Sequence, residues 1–246
     1  MTNADTRMQL FDGFVLSRSA RVVEMSLAGR RVLSYLALNG RSSRLETAVT
    51  LWPDASEGKA LGSLRTVLWR VNAVDRSLVA AGADWLHLRP GIRIDVHEFG
   101  AAADTVFRHD QPCLPAVADL TVGHLLPGWY DDWVVVERER IRLTQVQALE
   151  ALAHLLIAGD RLAAAVQAGW AAVRCDPLRE SATHVLIRAH LAQHNLVEAI
   201  RAYRALRTVL WQELRAAPSG DLTRLVRVAD TPGALIGAAH RARSTA

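Results

Sequence analysis

Lys59, Ser63, Thr66 and Arg70 follow one another at spacings of four, three and four residues. On an α-helix those spacings place all four on one face. None of the four is acidic, and each can reach a phosphate oxygen or a base edge. Arg65 and Trp69 stand on the flank of the same segment, 57–73. Leu61, Leu64, Leu68 and Val71 fall at i, i+3, i+7 and i+10 and line the opposite, apolar face. Two readings share this pattern: a surface helix with a solvated back, and a DNA recognition helix. The segments on either side decide between them.

Other chemistries are poorly served. Gly58-Lys59-Ala60 echoes the end of a phosphate-cradling loop. That loop needs glycine five residues before Gly58 and a hydroxyl residue after the lysine, where Pro53 and Ala60 stand. His190 and His194 lie at i, i+4, with Glu198 four further on, a spacing open to zinc on a helix. A turn expected around His194-Asn195 would break that face, and no cysteine lies near in sequence. The nucleophile-elbow, zinc-protease and dinucleotide glycine patterns do not occur. The reading is therefore a protein that is not an enzyme, with no catalytic residue, metal or cofactor assigned.

Bulk properties are compatible with this. A chain of 246 residues can hold two domains with separate cores, and 50% hydrophobic content belongs to a folded protein. Net charge is +4 and the sequence pI about 9.7, which permits an anionic partner without requiring one. Residues 26–76 hold eight basic side chains against four acidic ones, equal to the whole excess. All but Lys59 are arginines, a bias that GC-rich codon usage also produces, so it carries no binding argument. Cys113 and Cys175 lie far apart without metal spacing, and no signal-peptide pattern is read in the sequence, which suits a reducing cytosol better than a disulfide framework. No apolar run approaches the length of a membrane span. The expected location is the cytoplasm, in association with the nucleoid.

The elements around the opening segment are regular. Phe14-Val15-Leu16 and Val22-Val23 flank a polar Ser17-Arg18-Ser19-Ala20 turn, suggesting two or three short antiparallel strands over 8–25. A helix follows from Ser26, stopped by Asn39-Gly40. A second runs over 44–52, with Pro53-Asp54 breaking it, and Ser56 is placed to cap the third. Trp85 to Arg89, a Pro90-Gly91 turn and Ile92 to Asp95 read as a hairpin with Arg89 and Arg93 at its tip. Strands, three helices and a terminal hairpin make a winged helix. Asp95 and Glu98 have the spacing of a capping box for a further helix. A Pro- and Gly-bearing connector over 110–126 leads to a long helical pattern over 131–158.

The C-terminal half repeats. Residues 159–166 align with 193–200: Leu162 meets Leu196, Ala165 meets Ala199 and Val166 meets Ile200, an offset of 34. That period, with helix–turn–helix content, is the tetratricopeptide signature. Asp176-Pro177 is placed to start the next helix with proline at its first position, and a last long helix runs to about Leu214 before Pro218. A final short helix covers 221–228.

Leu126-Pro127-Gly128-Trp129-Tyr130-Asp131-Asp132-Trp133-Val134, then Glu137-Arg138-Glu139-Arg140, resembles the opening of the bacterial transcriptional activator domain. So do Asp176-Pro177-Leu178-Arg179-Glu180-Ser181 and the Glu213-Leu214 to Pro218-Ser219 tail. Trp52-Pro53-Asp54 and Ser63-Leu64-Arg65 to Leu68-Trp69-Arg70 stand where response-regulator winged helices have the end of helix 2 and the recognition helix. Over about 8–228 the chain resembles the antibiotic regulatory proteins of streptomycetes and related actinobacteria. The resemblance implies sequence-specific binding to double-stranded promoter DNA and recruitment of RNA polymerase. It also implies a homodimer on direct repeats and control of a biosynthetic gene cluster.

The expected fold is thus mainly α: an N-terminal winged helix-turn-helix (α+β) over 1–104, then an all-α tetratricopeptide-like activator domain over 105–246. Lys59, Ser63, Arg65, Thr66 and Arg70 are the expected DNA contacts on the third helix, and Arg89 and Arg93 those on the wing. Arg30, Arg31 and Arg44 are candidates for phosphates. The competing reading is a protein-interaction adaptor in which the winged helix binds protein instead of DNA. A nucleic-acid binder needs positive charge on both wing and third helix, and an adaptor does not.

Overall fold

Buried backbone that cannot find a partner is costly, and in the first 130 residues that requirement shapes the fold. A computed structural model describes residues 6–108 and 114–230; Pro112 and Cys113 of the expected connector lie outside these. The described residues form two compact units. The first takes in the chain up to Ala101 together with Val122–Ile141, and the second takes in Ala102–Thr121 and the chain from Arg142 onward.

In the first unit β1 (Thr6–Gln9), β2 (Val15–Arg18) and β3 (Arg21–Val22) form the expected antiparallel run. Ser19 and Ala20 turn it with φ of 48° and 61°, so both adopt the left-handed conformation of a tight hairpin without glycine. Three helices follow: α1 (Leu27–Asn39), α2 (Arg44–Leu51) and α3 (Glu57–Val74). Ser26 and Ser43 cap the first two through their hydroxyls, and Gly40, at φ 68°, ends α1. Ser56 holds the N-cap position of α3, but its side chain makes no capping bond.

The expected hairpin over 85–95 does not form. Strand β6 (Trp85–Leu88) pairs antiparallel with β5 (Val79–Ala81) on one side and β4 (Ser42–Ser43) on the other. Strand β7 (Ile92–Ile94) leaves that sheet and pairs parallel with β1, giving the order β3-β2-β1-β7. The alternation across Pro90-Gly91 is real, but its two halves belong to different sheets. Periodicity alone does not name a strand's partner.

The helix α4 (Asp95–Arg108) begins where β7 ends. Asp95 does not form the expected capping box with Glu98. Its carboxylate accepts from the N–H groups of Leu10 (2.8 Å), Phe11 (2.9 Å) and Val96 (2.8 Å), while Glu98 pairs with Arg93. Burial nevertheless raises the Asp95 carboxyl above its ordinary range, opposed by those three donors. Residues 122–141 complete this unit. The Leu126 N–H bonds the Leu10 carbonyl, Asp12 and His124 exchange backbone and side-chain bonds, and Leu125 and Leu126 are buried. Leu126 is left-handed at φ 42°, and Arg138 braces that turn by donating to the carbonyls of Leu125, Leu126 and Trp129. Trp133 stands edge-on to Tyr35 of α1 at 5.5 Å.

In the second unit the described elements are α5 (Val117–Leu120), the later part of α6 (Asp132–Ala158), α7 (Leu162–Cys175), α8 (Glu180–Ala192), α9 (Leu196–Leu214) and α10 (Gly220–Asp230). The repeat of 34 holds at the level of the backbone. Helices α7 and α9 start at the matched residues Leu162 and Leu196, and the residues two before them, Asp160 and His194, are both left-handed, at φ 56° and 58°. The N–H of Arg161 bonds the Leu156 carbonyl as that of Asn195 bonds the His190 carbonyl. Small residues set the helix spacing: a Cβ on Gly169 of α7 would meet the Leu186 Cα of α8 at 3.0 Å. Pro177 is not the first residue of α8. It lies in the turn that follows α7, and α8 starts at Glu180, where Arg179 and Ser181 both bond Glu150 of α6.

His190 stands where the preceding repeat has the buried Leu156, and both ring nitrogens are buried without a hydrogen-bond partner among the described residues. Burial lowers the pKa of His190, and burial followed by the charge of Arg188 lowers those of His154 and His184. The unfolded chain therefore binds more protons than the folded one just below the ordinary value of 6.5. The stability these groups contribute is complete above that value and is lost as pH falls through it. His190→Leu should raise stability by roughly 1–3 kcal/mol at about pH 8 and flatten the loss on acidification, read as urea midpoints across pH. In the first unit, Arg138→Ala should cost roughly 2–3 kcal/mol of unfolding free energy, because three carbonyls lose a charged donor together.

Candidate nucleic-acid interface

The third helix separates its faces cleanly. Ala60, Leu64, Val67, Leu68 and Val71 are buried. This stripe is centred slightly away from the expected one, and Leu61 is only half-buried. Lys59, Arg65, Thr66, Trp69 and Arg70 are exposed, and Ser63 is half-buried at the margin. Trp69 is 71% exposed, so it belongs to the outward face and not merely to its flank. Lys59, Arg65 and Arg70 make no ion pair among the described residues, and Glu57, in the first turn, is the only acid on the helix. The Thr66 hydroxyl donates to the Gly62 carbonyl of its own helix at 3.1 Å, which leaves its lone pairs and methyl group outward.

The three-stranded sheet β4-β6-β5 is the wing, and its tip is Gly82-Ala83-Asp84. Arg44 ties the start of α2 to that tip: its N–H bonds the Asp84 carbonyl at 2.8 Å and its guanidinium donates to the Gly82 carbonyl at 3.1 Å. Arg41 lies over the Trp85 ring at 4.9 Å from its centroid. Sequence reasoning did not single out Arg41. The signal joining residues 41 and 85 is the β4–β6 pairing, which two serines do not announce.

The remaining expected contacts are held differently. Arg89 is exposed beyond the end of β6, with its N–H on the Leu78 carbonyl, and is not at a wing tip. Arg93, on β7, pairs with Glu98 at 2.7 Å. Arg31 pairs with Asp131. Arg30 donates to the Met25 carbonyl at 2.9 Å and stands 3.6 Å from Glu24. The structure thus gathers Lys59, Ser63, Arg65, Thr66 and Arg70 on one helix and places Arg44 at the wing. It gives Arg30, Arg31 and Arg93 acidic partners of their own. His190 faces the interior and His194 sits in a left-handed turn, so the two do not share a helical face.

A helix-turn-helix with a wing, joined to a tetratricopeptide-like helical unit, defines a transcriptional regulator. Residues 94–228 match the bacterial transcriptional activator domain, and the chain belongs to that family. The family is one of transcriptional activators and not of enzymes. Among solved structures, it is similar to Mycobacterium tuberculosis EmbR in complex with a low-affinity phosphopeptide. That likeness has a TM-score of 0.60 at 20% identity, over 98% of this chain and 69% of that one. No curated protein matches. Among the described residues no helix is long and apolar enough to cross a membrane.

The division of α3 into a buried and an open face has a direct consequence for stability. Leu64→Ala should cost about 2–5 kcal/mol in chemical denaturation, because it empties a core site. Arg70→Ala and Lys59→Ala should stay within about 0.5 kcal/mol of the parent protein.

Proposed function

We propose that this activator binds double-stranded promoter DNA by placing α3 in the major groove. The observation that carries the reading is the outward face of α3: three cations without ion pairs, beside a hydroxyl and an aromatic, on the third helix of a winged helix. Arginine is the commonest reader of guanine, and Arg70 and Arg65 extend from the open face. Because the Thr66 proton is engaged within the helix, Thr66 would accept a bond from cytosine or adenine amino groups, not donate one. Lys59 and Ser63 would meet bases or adjacent phosphates, and Arg44, with Arg41 stacked on Trp85, would bring the wing against the backbone. Arg89 is exposed and remains a phosphate contact in this reading; Arg30, Arg31 and Arg93 would have to exchange an acid for a phosphate.

The helical unit would recruit RNA polymerase. Trp170 and Trp211, at 46% and 57% exposure on α7 and α9, support a protein partner there. Two protomers on direct repeats about one helical turn apart suit the groove geometry, and the regulated genes would form a biosynthetic cluster. Such work belongs in the cytoplasm, at the nucleoid.

Selection of duplexes from a random pool, followed by sequencing, tests the reading. A defined motif is expected; failure to enrich any sequence would move the adaptor reading ahead. On the selected site Arg70→Ala should cost roughly 1–3 kcal/mol and relax preference at one position. Arg89→Ala should weaken all sequences about equally and lower the salt slope by about one unit. In a reconstituted transcription assay the selected site should confer activation.

A further inference from the structure

Trp69 presents a large apolar surface that the fold does not use. Its neighbours one turn away on the helix surface are Arg65, Thr66 and Ala73, all exposed, and Asn72, half-buried. Ala73, one turn on, is too small to cover the indole. A tryptophan buries some 150–250 Å² when it is enclosed, so an indole left 71% open has most of that area available to a partner. The charge around it says which partner. Arg65, one turn back, and Arg70, next along the chain, flank it and make no ion pair among the described residues, while the one acid of the helix, Glu57, lies three turns away. An apolar group flanked by cations suits a polyanion that itself offers an apolar spot. In the major groove of DNA that spot is the C5-methyl group of thymine.

We infer that Trp69 is a specificity residue that reads thymine by packing its indole on the C5-methyl group in the major groove. The inference rests on the reading of α3 as the recognition helix. Arg65 and Arg70 hold the phosphates or purines on either side, and the indole supplies what they cannot: preference for a methyl-bearing edge over the bare edge of cytosine.

Replacing thymine by deoxyuridine removes that methyl group and keeps every hydrogen-bonding group. Each thymine of the selected site is exchanged in turn, and affinities are measured for the intact protein and for Trp69→Ala and Trp69→Leu. The expected result is one or two positions where deoxyuridine weakens the intact protein about fourfold, the worth of one buried methyl group. At those positions Trp69→Ala should bind thymine and deoxyuridine equally, while Trp69→Leu keeps part of the difference. Three outcomes would overturn the inference: unchanged affinity in Trp69→Ala, the same deoxyuridine effect in variant and parent, or unfolding of Trp69→Ala, which would make the indole a core group. If the parent enriches no sequence at all, the recognition-helix reading falls and the inference with it. If the parent enriches a motif that Arg70→Ala weakens and Trp69→Ala does not, only the inference falls.

Discussion

The first unit hangs on one carboxylate. Strand β1 runs out at Gln9, yet Leu10 and Phe11 are buried and their N–H groups still need acceptors. Asp95 supplies both, from the point where β7 ends and α4 begins. The same side chain takes the N–H of Val96 in the first turn of the helix. One residue therefore closes the end of one strand, starts a helix and fixes the parallel register of Met8 against Ile94. The carbonyl of Leu10 is taken by Leu126, so residues 122–126 are drawn to the same place from far along the chain. Desolvation raises the Asp95 carboxyl, and the three donors offset part of that cost.

That arrangement explains why the wing hairpin lies earlier in the chain than the sequence suggests. Once β7 is committed to β1, β6 must find its partners elsewhere, and it finds them in β5 and in the two residues of β4. Strand β4 lies between α1 and α2, so the wing is hydrogen-bonded to the helix-turn-helix itself. Arg44, at the first position of α2, reaches two carbonyls of the wing tip.

Much of this was legible in the residues, and what was not has physical causes. The end of α1 came through because Asn39-Gly40 is an unambiguous stop, whereas Ser56, the cap read for α3, makes no capping bond, and the Ser43 cap of α2 was not read. The repeat was legible because it is written twice, down to left-handed Asp160 and His194. The open face of α3 was legible because its polar spacing is regular over about three turns. The hairpin was misread because Pro90-Gly91 looks like a turn between two alternating segments, and alternation is silent about which edge a strand joins. Asp95 and Glu98 had capping-box spacing, but two buried N–H groups 84 and 85 residues earlier compete for the carboxylate. Pro177 was placed three residues early in its helix, since proline serves a turn as well as it serves a first helical position. Arg41 on Trp85 is a contact across a two-serine strand, and no local pattern encodes it.

Because the chain passes from the wing into a different sheet at Arg89 to Gly91, the wing tip is tied to β4 and Arg44 but not to the sheet that holds β7. Extra residues beside Ala83 would lengthen the protrusion without sliding β7 along β1 or disturbing Asp95. The fold thus contains a point where reach can be lengthened by insertion while the reading helix stays put. Relatives with longer or shorter tips could diverge in how far along a binding site they extend, the Arg44 bonds to the tip being the one contact such a change would have to rebuild.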